Sequence, residues 1–213
     1  MIFRYDIINF LLKKYFNSDA HYLEIGVADP NECFNKIQCN NKTSVDPNYY
    51  MPSDDIDYKI TSDEFFYKLD NSQLKFIKDY KWDIIFIDGL HLAKQVRKDI
   101  SNSINHCNSN GFIVIHDCNP KHSYNAHSDE DYFLDNPHEW NGTTWKAFYN
   151  FRVTTPIKAY TIDTDYGIGV IEINKSQKTI SHTNPWYEFG HFKNNRKEQI
   201  GLITIDEFYE MHE

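Results

Sequence analysis

Two segments constrain this chain more than any others: Trp82-Asp83-Ile84-Ile85-Phe86-Ile87-Asp88 and Gly111-Phe112-Ile113-Val114-Ile115-His116-Asp117. Each is a short continuous apolar run that ends in an acid, the pattern of a strand buried on both faces of a parallel sheet. Such strands need helices above and below them, and the sequence supplies candidates. Leu92, Val96, Ile100 and Ile104 share one helical face after the first run, and Thr143 to Val153 predicts a helix after the second.

The flanking residues continue the alternation. Ile7, Ile8, Leu11, Leu12, Tyr15 and Phe16 form a helical stripe across residues 3–16. Tyr22 to Val27 predicts the first strand, with Gly26 near its end. Asp29-Pro30-Asn31-Glu32 combines a capping acid, a proline at the first helical position and a glutamate at the third, which predicts a helix from Pro30 to about Ile37. Thr43 to Asp46 and Tyr58 to Ile60 read as strands, and Glu64 to Tyr80 as one or two helices. Two late strands, Ile157 to Asp163 and Gly167 to Ile173, are joined by Thr164-Asp165-Tyr166, short enough for a hairpin, so the last strand is expected to be antiparallel. The expected fold is α/β: a Rossmann-like, doubly wound seven-stranded sheet, mostly parallel, with helices on both faces. Residues 1–175 are expected to form that domain, including the N-terminal helix. Residues 176–213 are expected to be an extension packed on it, ending in a helix near Asp206 to His212.

Composition narrows the function classes. At 213 residues with 40% hydrophobic content, one core suffices without splitting the chain. The net charge of -9, with 22 scattered Lys and Arg, disfavours nucleic acid as a partner. Cys33, Cys39, Cys107 and Cys118 form no CxxC pair, no signal peptide is recognisable, and no apolar run approaches the roughly 20 residues that cross a bilayer. The expectation is a cytoplasmic chain with reduced thiols and no membrane span.

In parallel sheets, ligands sit beyond the carboxyl ends of the strands, at the point where strand order reverses. Glu24, Asp46, Asp88 and Asp117 lie near those ends. Asp46, twenty residues past Gly26, is positioned to accept both hydroxyls of a ribose. Gly26 allows close approach to the backbone, and a tight strand-to-helix turn explains it equally well. Asp29 at the expected helix N-terminus would repel a pyrophosphate, whereas S-adenosylmethionine has no phosphate and carries an ammonium and a sulfonium that acids can stabilise.

Five segments together resemble a family: Leu23-Glu24-Ile25-Gly26-Val27, Val45-Asp46-Pro47, Thr61-Ser62-Asp63-Glu64-Phe65-Phe66, Asp83 to His91, and Ile115-His116-Asp117-Cys118-Asn119-Pro120. They are similar to class I S-adenosylmethionine-dependent methyltransferases over residues 20–173, most of all to the small-molecule branch with sugar and macrolide O-methyltransferases. Trp140-Asn141-Gly142-Thr143-Thr144-Trp145-Lys146 also resembles a segment that follows strand five in this group. The resemblance implies that Glu24 and Gly26 line the methionine portion, Asp46 holds the ribose, Ser62 and Asp63 border the adenine, and Asp88 faces the reacting centre. In metal-dependent relatives, acids at the ends of strands four and five bind a divalent cation such as Mg2+, and Asp88 and Asp117 match those two positions. The third position is not matched: Cys118 stands there, with Asn119 one residue late.

Methyl transfer to oxygen needs a base or a Lewis-acid cation beside the attacking hydroxyl. His91, three residues past Asp88, and His116 are the candidate bases, with alternation expected to turn His116 to the other side of the strand end from Asp117. His122, His127 and His138 fit no zinc spacing, so residues 121–142 are expected to form a solvated lid. The expected partners are a small-molecule acceptor and, as an open option, further copies of the chain. Two alternatives stand beside this reading: a nicotinamide-dependent oxidoreductase on a similar fold, and a non-catalytic nucleotide-binding module, for which Ala28 and Cys118 speak.

Overall fold

A computed structural model describes residues 2–77, 79–128 and 140–213. The chain opens with α1 (Arg4–Tyr15), followed by β1 (His21–Ile25), β2 (Asn41–Val45), α2 (Ser62–Asp70), β3 (Trp82–Ile87), α3 (Ala93–His106) and β4 (Cys107–Ile115). From residue 140 onward come α4 (Thr144–Thr154), β5 (Ile157–Ile162), β6 (Ile168–Ser176), α5 (Phe189–Asn194), α6 (Arg196–Ile200), β7 (Leu202–Ile203) and α7 (Ile205–Met211).

The seven strands form one sheet in the order β2-β1-β3-β4-β6-β5-β7. β2, β1, β3 and β4 are mutually parallel, whereas β6 runs antiparallel to both β4 and β5. The chain winds outward in opposite directions from β1 and β3, so the switch point lies between them. Alternation along the strands divides the core. Ile85, Ile87, Ile113 and Ile115 pack beneath α2, α3 and α4, while Ile84, Phe86, Phe112 and Val114 meet Ile7, Ile8, Leu11 and Leu12 of α1 and Phe208 of α7. A period of two in the strands and a 3.6-residue stripe in α1 thus produce the layered α/β architecture.

Three expected elements differ. Tyr58 to Ile60 is no strand: Tyr58 makes a single parallel bridge to Val45. Asp57 turns back to bond the Ser44 amide and hydroxyl at 2.9 and 3.0 Å, and Thr61 already caps α2, which leaves no length for a ladder. The seventh strand is instead β7, in the C-terminal segment, parallel to β5. The helix expected from Pro30 to Ile37 reduces to a 3-10 turn at Phe34–Lys36. Asp29 Oδ1 accepts from Asn31 N in a local turn, and the Glu32 carboxylate, needed for a capping box, reaches Arg4 at 3.5 Å. The helical stretch after Thr61 stops at Asp70, where Asn71 caps it and Ser72 takes a left-handed φ of 56°.

Candidate active site

The site builds from the switch point outward. Gly26 has φ +81°, and a Cβ there would stand 2.3 Å from the Gly89 Cα, so the loops after β1 and β3 touch through bare backbone. Any side chain at position 26 would force them apart. Asp46, at the end of β2, fastens the same loop. Its Oδ2 accepts from Val27 N at 2.9 Å and Ala28 N at 3.2 Å, and its Oδ1 from Asn48 N at 2.6 Å. A carboxylate offers about four acceptor positions, so roughly one is left for a ribose hydroxyl, not the two expected from sequence.

Glu24 is 1% exposed and accepts from Tyr22 Oη. Burial pushes its carboxyl up to about 8, against the lowering effect of the Tyr22 hydrogen bond. Ser62 and Asp63 lie at the start of α2 and face α3. Ser62 Oγ donates to Asp99 Oδ1 at 2.7 Å, and Gln95 and Lys98 bond Asp63.

One strand further, four side chains close on one another. His91 Nε2 lies 3.3 Å from Asp88 Oδ1, and its Nδ1 lies 3.1 Å from Asp117 Oδ2. His116 Nδ1 lies 3.0 Å from Asp88 Oδ1 and 3.3 Å from Asp117 Oδ2. Each imidazole therefore bridges both carboxylates. His116 was expected on the opposite side of the strand end, but Asp117 has φ +61°, which breaks the alternation and turns both side chains to the same side. Cys118 is fully buried with its thiol toward the Ile115 and His116 carbonyls, and Asn119 bonds Asp163 and Arg196, so neither reaches the cluster.

Burial alone would raise Asp88, but the His116 charge and hydrogen bonds from both histidines outweigh it and hold the carboxyl well below the usual range. Burial lowers both imidazoles; the facing Asp117 and Asp88 reverse that, leaving His91 raised and His116 raised strongly. Two carboxylates this close favour positive charge between them, and the two imidazoles stand in that position.

The Trp140–Trp145 segment closes the site for identifiable reasons. Trp140 stacks on His91 with ring centroids 5.4 Å apart, and its carbonyl lies 3.2 Å from His91 Nδ1. Asn141 Nδ2 donates to Asp117 Oδ1. Gly142, at φ +59°, lies where a Cβ would stand 2.2 Å from the His91 carbonyl oxygen, and Thr143 Oγ1 accepts from Ala93 N at the start of α3. Of the expected lid, His138 lies outside the described residues, as does the rest of 129–139. His122 stacks on Tyr124, and His127 accepts from Trp140 through its carbonyl, both away from the acid pair.

Two further residues enter the site that the motifs did not indicate. Arg4, in the first turn of α1, places Nη1 3.0 Å from His116 Nε2 and Nε 3.6 Å from Asp88 Oδ2. Asp165, in the β5–β6 hairpin, binds Arg4 Nη1 at 3.2 Å and lies 3.6 Å from His116 Nε2. The signal for Asp165 was topological: a strand parallel to β4 must deliver its following hairpin to the carboxyl edge. Arg4 had no signal beyond being a lone cation at a helix start.

Asp88, His116 and Asp117 are the residues that could hold a metal. One ligand atom each from Asp88, His116 and Asp117 lies within 4.8 Å of the others. Asn141 Oδ1, buried beside Asp117, has no hydrogen-bond partner among the described residues and is a spare acceptor at the same place.

Comparison with known proteins agrees with this architecture. The model of a family described as a methyltransferase domain matches residues 43–118, from β2 to the end of the acid pair. An O-methyltransferase from Bacillus cereus, solved with SAH, superimposes with a TM-score of 0.50 at 11% identity, covering 78% of this chain and 79% of that one. TomG from Streptomyces achromogenes, an O-methyltransferase involved in tomaymycin synthesis and solved with SAM, gives 0.50 at 10% identity, covering 79% and 78%. MycE, a methyltransferase of the mycinamycin pathway solved with Mg, SAH and mycinamycin VI, has a TM-score of 0.49 at 14% identity. This chain spans about half of its length, 84% of this chain lying on 50% of that one. No protein of curated function matches the sequence significantly. Fold and matched segment agree on the class: the chain has the Rossmann-like methyltransferase fold, and residues 43–118 are similar to the methyltransferase-domain model. Among the described residues no helix is long and apolar enough to cross a membrane.

Proposed function

We propose that the protein is an S-adenosylmethionine-dependent methyltransferase that methylates a hydroxyl of a small molecule, sugar-like or natural-product-like. The observation that carries this reading is adjacency. The switch-point loop held by Gly26 and Asp46 lies one strand from a closed cluster of two acids and two imidazoles. Both TM-score 0.50 neighbours are O-methyltransferases with SAM or SAH bound, which supports the same assignment.

S-adenosylmethionine, when bound, supplies an electrophilic methyl group; the chain supplies position and charge. Gly26 lets the loops after β1 and β3 close together beside the methionine portion, which Glu24 underlies, while Asp46 takes one ribose hydroxyl and Ser62 and Asp63 border the adenine. Asp29 beside the loop disfavours a pyrophosphate, which speaks against a dinucleotide.

His91 is the residue assigned to take the proton of the acceptor hydroxyl, and Asp88 orients it. Both of its nitrogens face carboxylates in the free protein, so it serves as base only when one of those acids is engaged elsewhere. A divalent cation such as Mg2+ fits Asp88, His116 and Asp117, where it would polarise the hydroxyl as a Lewis acid. Base and metal are therefore linked through the same two acids. His116 moves from candidate base to candidate ligand.

The net charge of -9 and four free cysteines support a cytoplasmic enzyme that binds a neutral or basic acceptor and no nucleic acid, alone or with further copies of itself. Residues 1–175 remain the proposed catalytic domain and 176–213 its extension. Titration calorimetry with SAM, SAH and NAD tests the reading. SAM and SAH should bind and NAD should not; binding of NAD alone favours the oxidoreductase, and binding of SAM without any transfer favours the non-catalytic module.

A further inference from the structure

A cation at Arg4 is out of place by helix electrostatics. It lies in the first turn of α1, where the backbone dipole favours negative charge. Its own amide is bonded by Asp165 Oδ2 at 2.9 Å, so an acid already serves that helix end, and the guanidinium is turned away from it into the cluster. The side chain is 16% exposed. It touches Asp88, Asp165, Glu32 and His116, that is, elements from β3, the β5–β6 hairpin, the loop after β1 and β4. The fit is incomplete: Arg4 Nε is buried with no hydrogen bond among the described residues, and Asp88 Oδ2 is 3.6 Å away. Nη1 lies 3.0 Å from His116 Nε2, so the guanidinium charge stands against the imidazole that faces both acids.

We propose that Arg4 is the resident cation of the reaction centre: a positioning residue that holds Asp88 and His116 in their present orientation and competes with a divalent cation for them. The inference rests on the metal reading of Asp88, His116 and Asp117. Arg4 brings one positive charge against Asp88, which would share the two charges of the ion, and its Nη1 lies 3.0 Å from the His116 ring that would ligate the ion. α1 thereby becomes part of the site and not only a cover for the sheet.

The test is Mn2+ binding to the full chain, read by the loss of the free-ion electron paramagnetic resonance signal, in wild type, Arg4→Met, Arg4→Gln and Arg4→Lys. Removing the competing charge should tighten Mn2+ binding about tenfold or more in Arg4→Met, because like charges a few ångströms apart repel strongly in a partly buried site. Arg4→Lys, which keeps the charge, should stay within about threefold of wild type by the same argument. Arg4→Gln gives the same readout should Arg4→Met fail to fold. A merely structural arginine predicts the opposite sign, since a loosened site binds metal more weakly. Equal or weaker Mn2+ binding in the neutral variants overturns the inference and leaves the metal reading standing. No Mn2+ binding in any variant overturns both.

Discussion

His116 Nδ1 lies 3.0 Å from Asp88 Oδ1, although the two residues follow different strands. β3 and β4 are neighbours in register, with Ile87 opposite Ile115, so the next residues on each strand emerge side by side. The left-handed turn at Asp117 then brings the second acid to the same point. Two acids and two imidazoles end up side by side because of strand order and one unusual φ angle.

That closeness makes metal binding and stability depend on pH in opposite ways. Both histidines hold protons more tightly in the folded chain than at their ordinary value of 6.5. Their contribution to stability is therefore fully present below about pH 6.5 and is lost as pH rises through the raised values. A divalent cation needs the His116 proton gone, so its affinity should climb over the same interval. Thermal denaturation of the metal-free protein should show a falling Tm above pH 6.5, and Mg2+ or Mn2+ should restore it increasingly toward pH 9. A Tm that is flat with pH and indifferent to the cation would contradict the shared site.

Asp46 has two tasks, and one substitution should expose both. Asp46→Ala should weaken SAM binding by about 1.5 to 3 kcal/mol, the range for a charge-assisted hydrogen bond. It should also lower stability by about 1 kcal/mol or more, because the Val27 and Ala28 amides lose their acceptor. Calorimetry with SAH and a urea unfolding curve measure the two effects. Unchanged affinity would remove Asp46 from the ligand site and leave it a loop fastener.

Asp99 gives a prediction separate from the active site. It is 1% exposed on α3, and burial pushes its carboxyl from 3.8 up to about 6, partly offset by hydrogen bonds from Ser62 and Gln95. A carboxyl raised on folding stabilises the protein below its unfolded value and loses that contribution as pH rises through the folded one. Both donors bond the same oxygen, Oδ1, so Asp99→Asn keeps both contacts. The variant should be more stable than wild type at pH 7, by at most about 3 kcal/mol, with the difference fading below about pH 4. A constant difference from pH 4 to 7 would show that the carboxyl does not titrate in that window.

How much of this was readable beforehand follows from the kind of signal each residue carries. The strongly apolar runs ending at Asp88 and Asp117 fix the central strands, because nothing but a doubly covered sheet buries them. Gly26, Asp46, Asp88, His91 and Asp117 were accessible from their places at strand ends. Tyr58 to Ile60 failed as a strand because Asp57 and Thr61 have stronger local uses for the backbone, and the Pro30 helix failed because Glu32 reaches Arg4. Neither competing contact is visible in a local pattern. The orientation of His116 depends on the φ angle of its neighbour, and the reach of Arg4 and Asp165 into the site depends on pairings across more than a hundred residues.

The central claim is that the cluster of Asp88, His91, His116 and Asp117 is where a methyl group is transferred. The most direct measurement is transfer of a labelled methyl group from SAM to a mixed panel of hydroxylated acceptors, by wild type and His91→Ala, in chelator and after Mg2+ is added back. The structure predicts transfer by wild type that chelation removes and Mg2+ restores, and a loss of about 100-fold or more in His91→Ala at saturating Mg2+, the usual size of a general-base contribution. Full transfer in chelator by both wild type and His91→Ala would contradict the account, because the methyl group would then be moving without the two features that bring these four residues together.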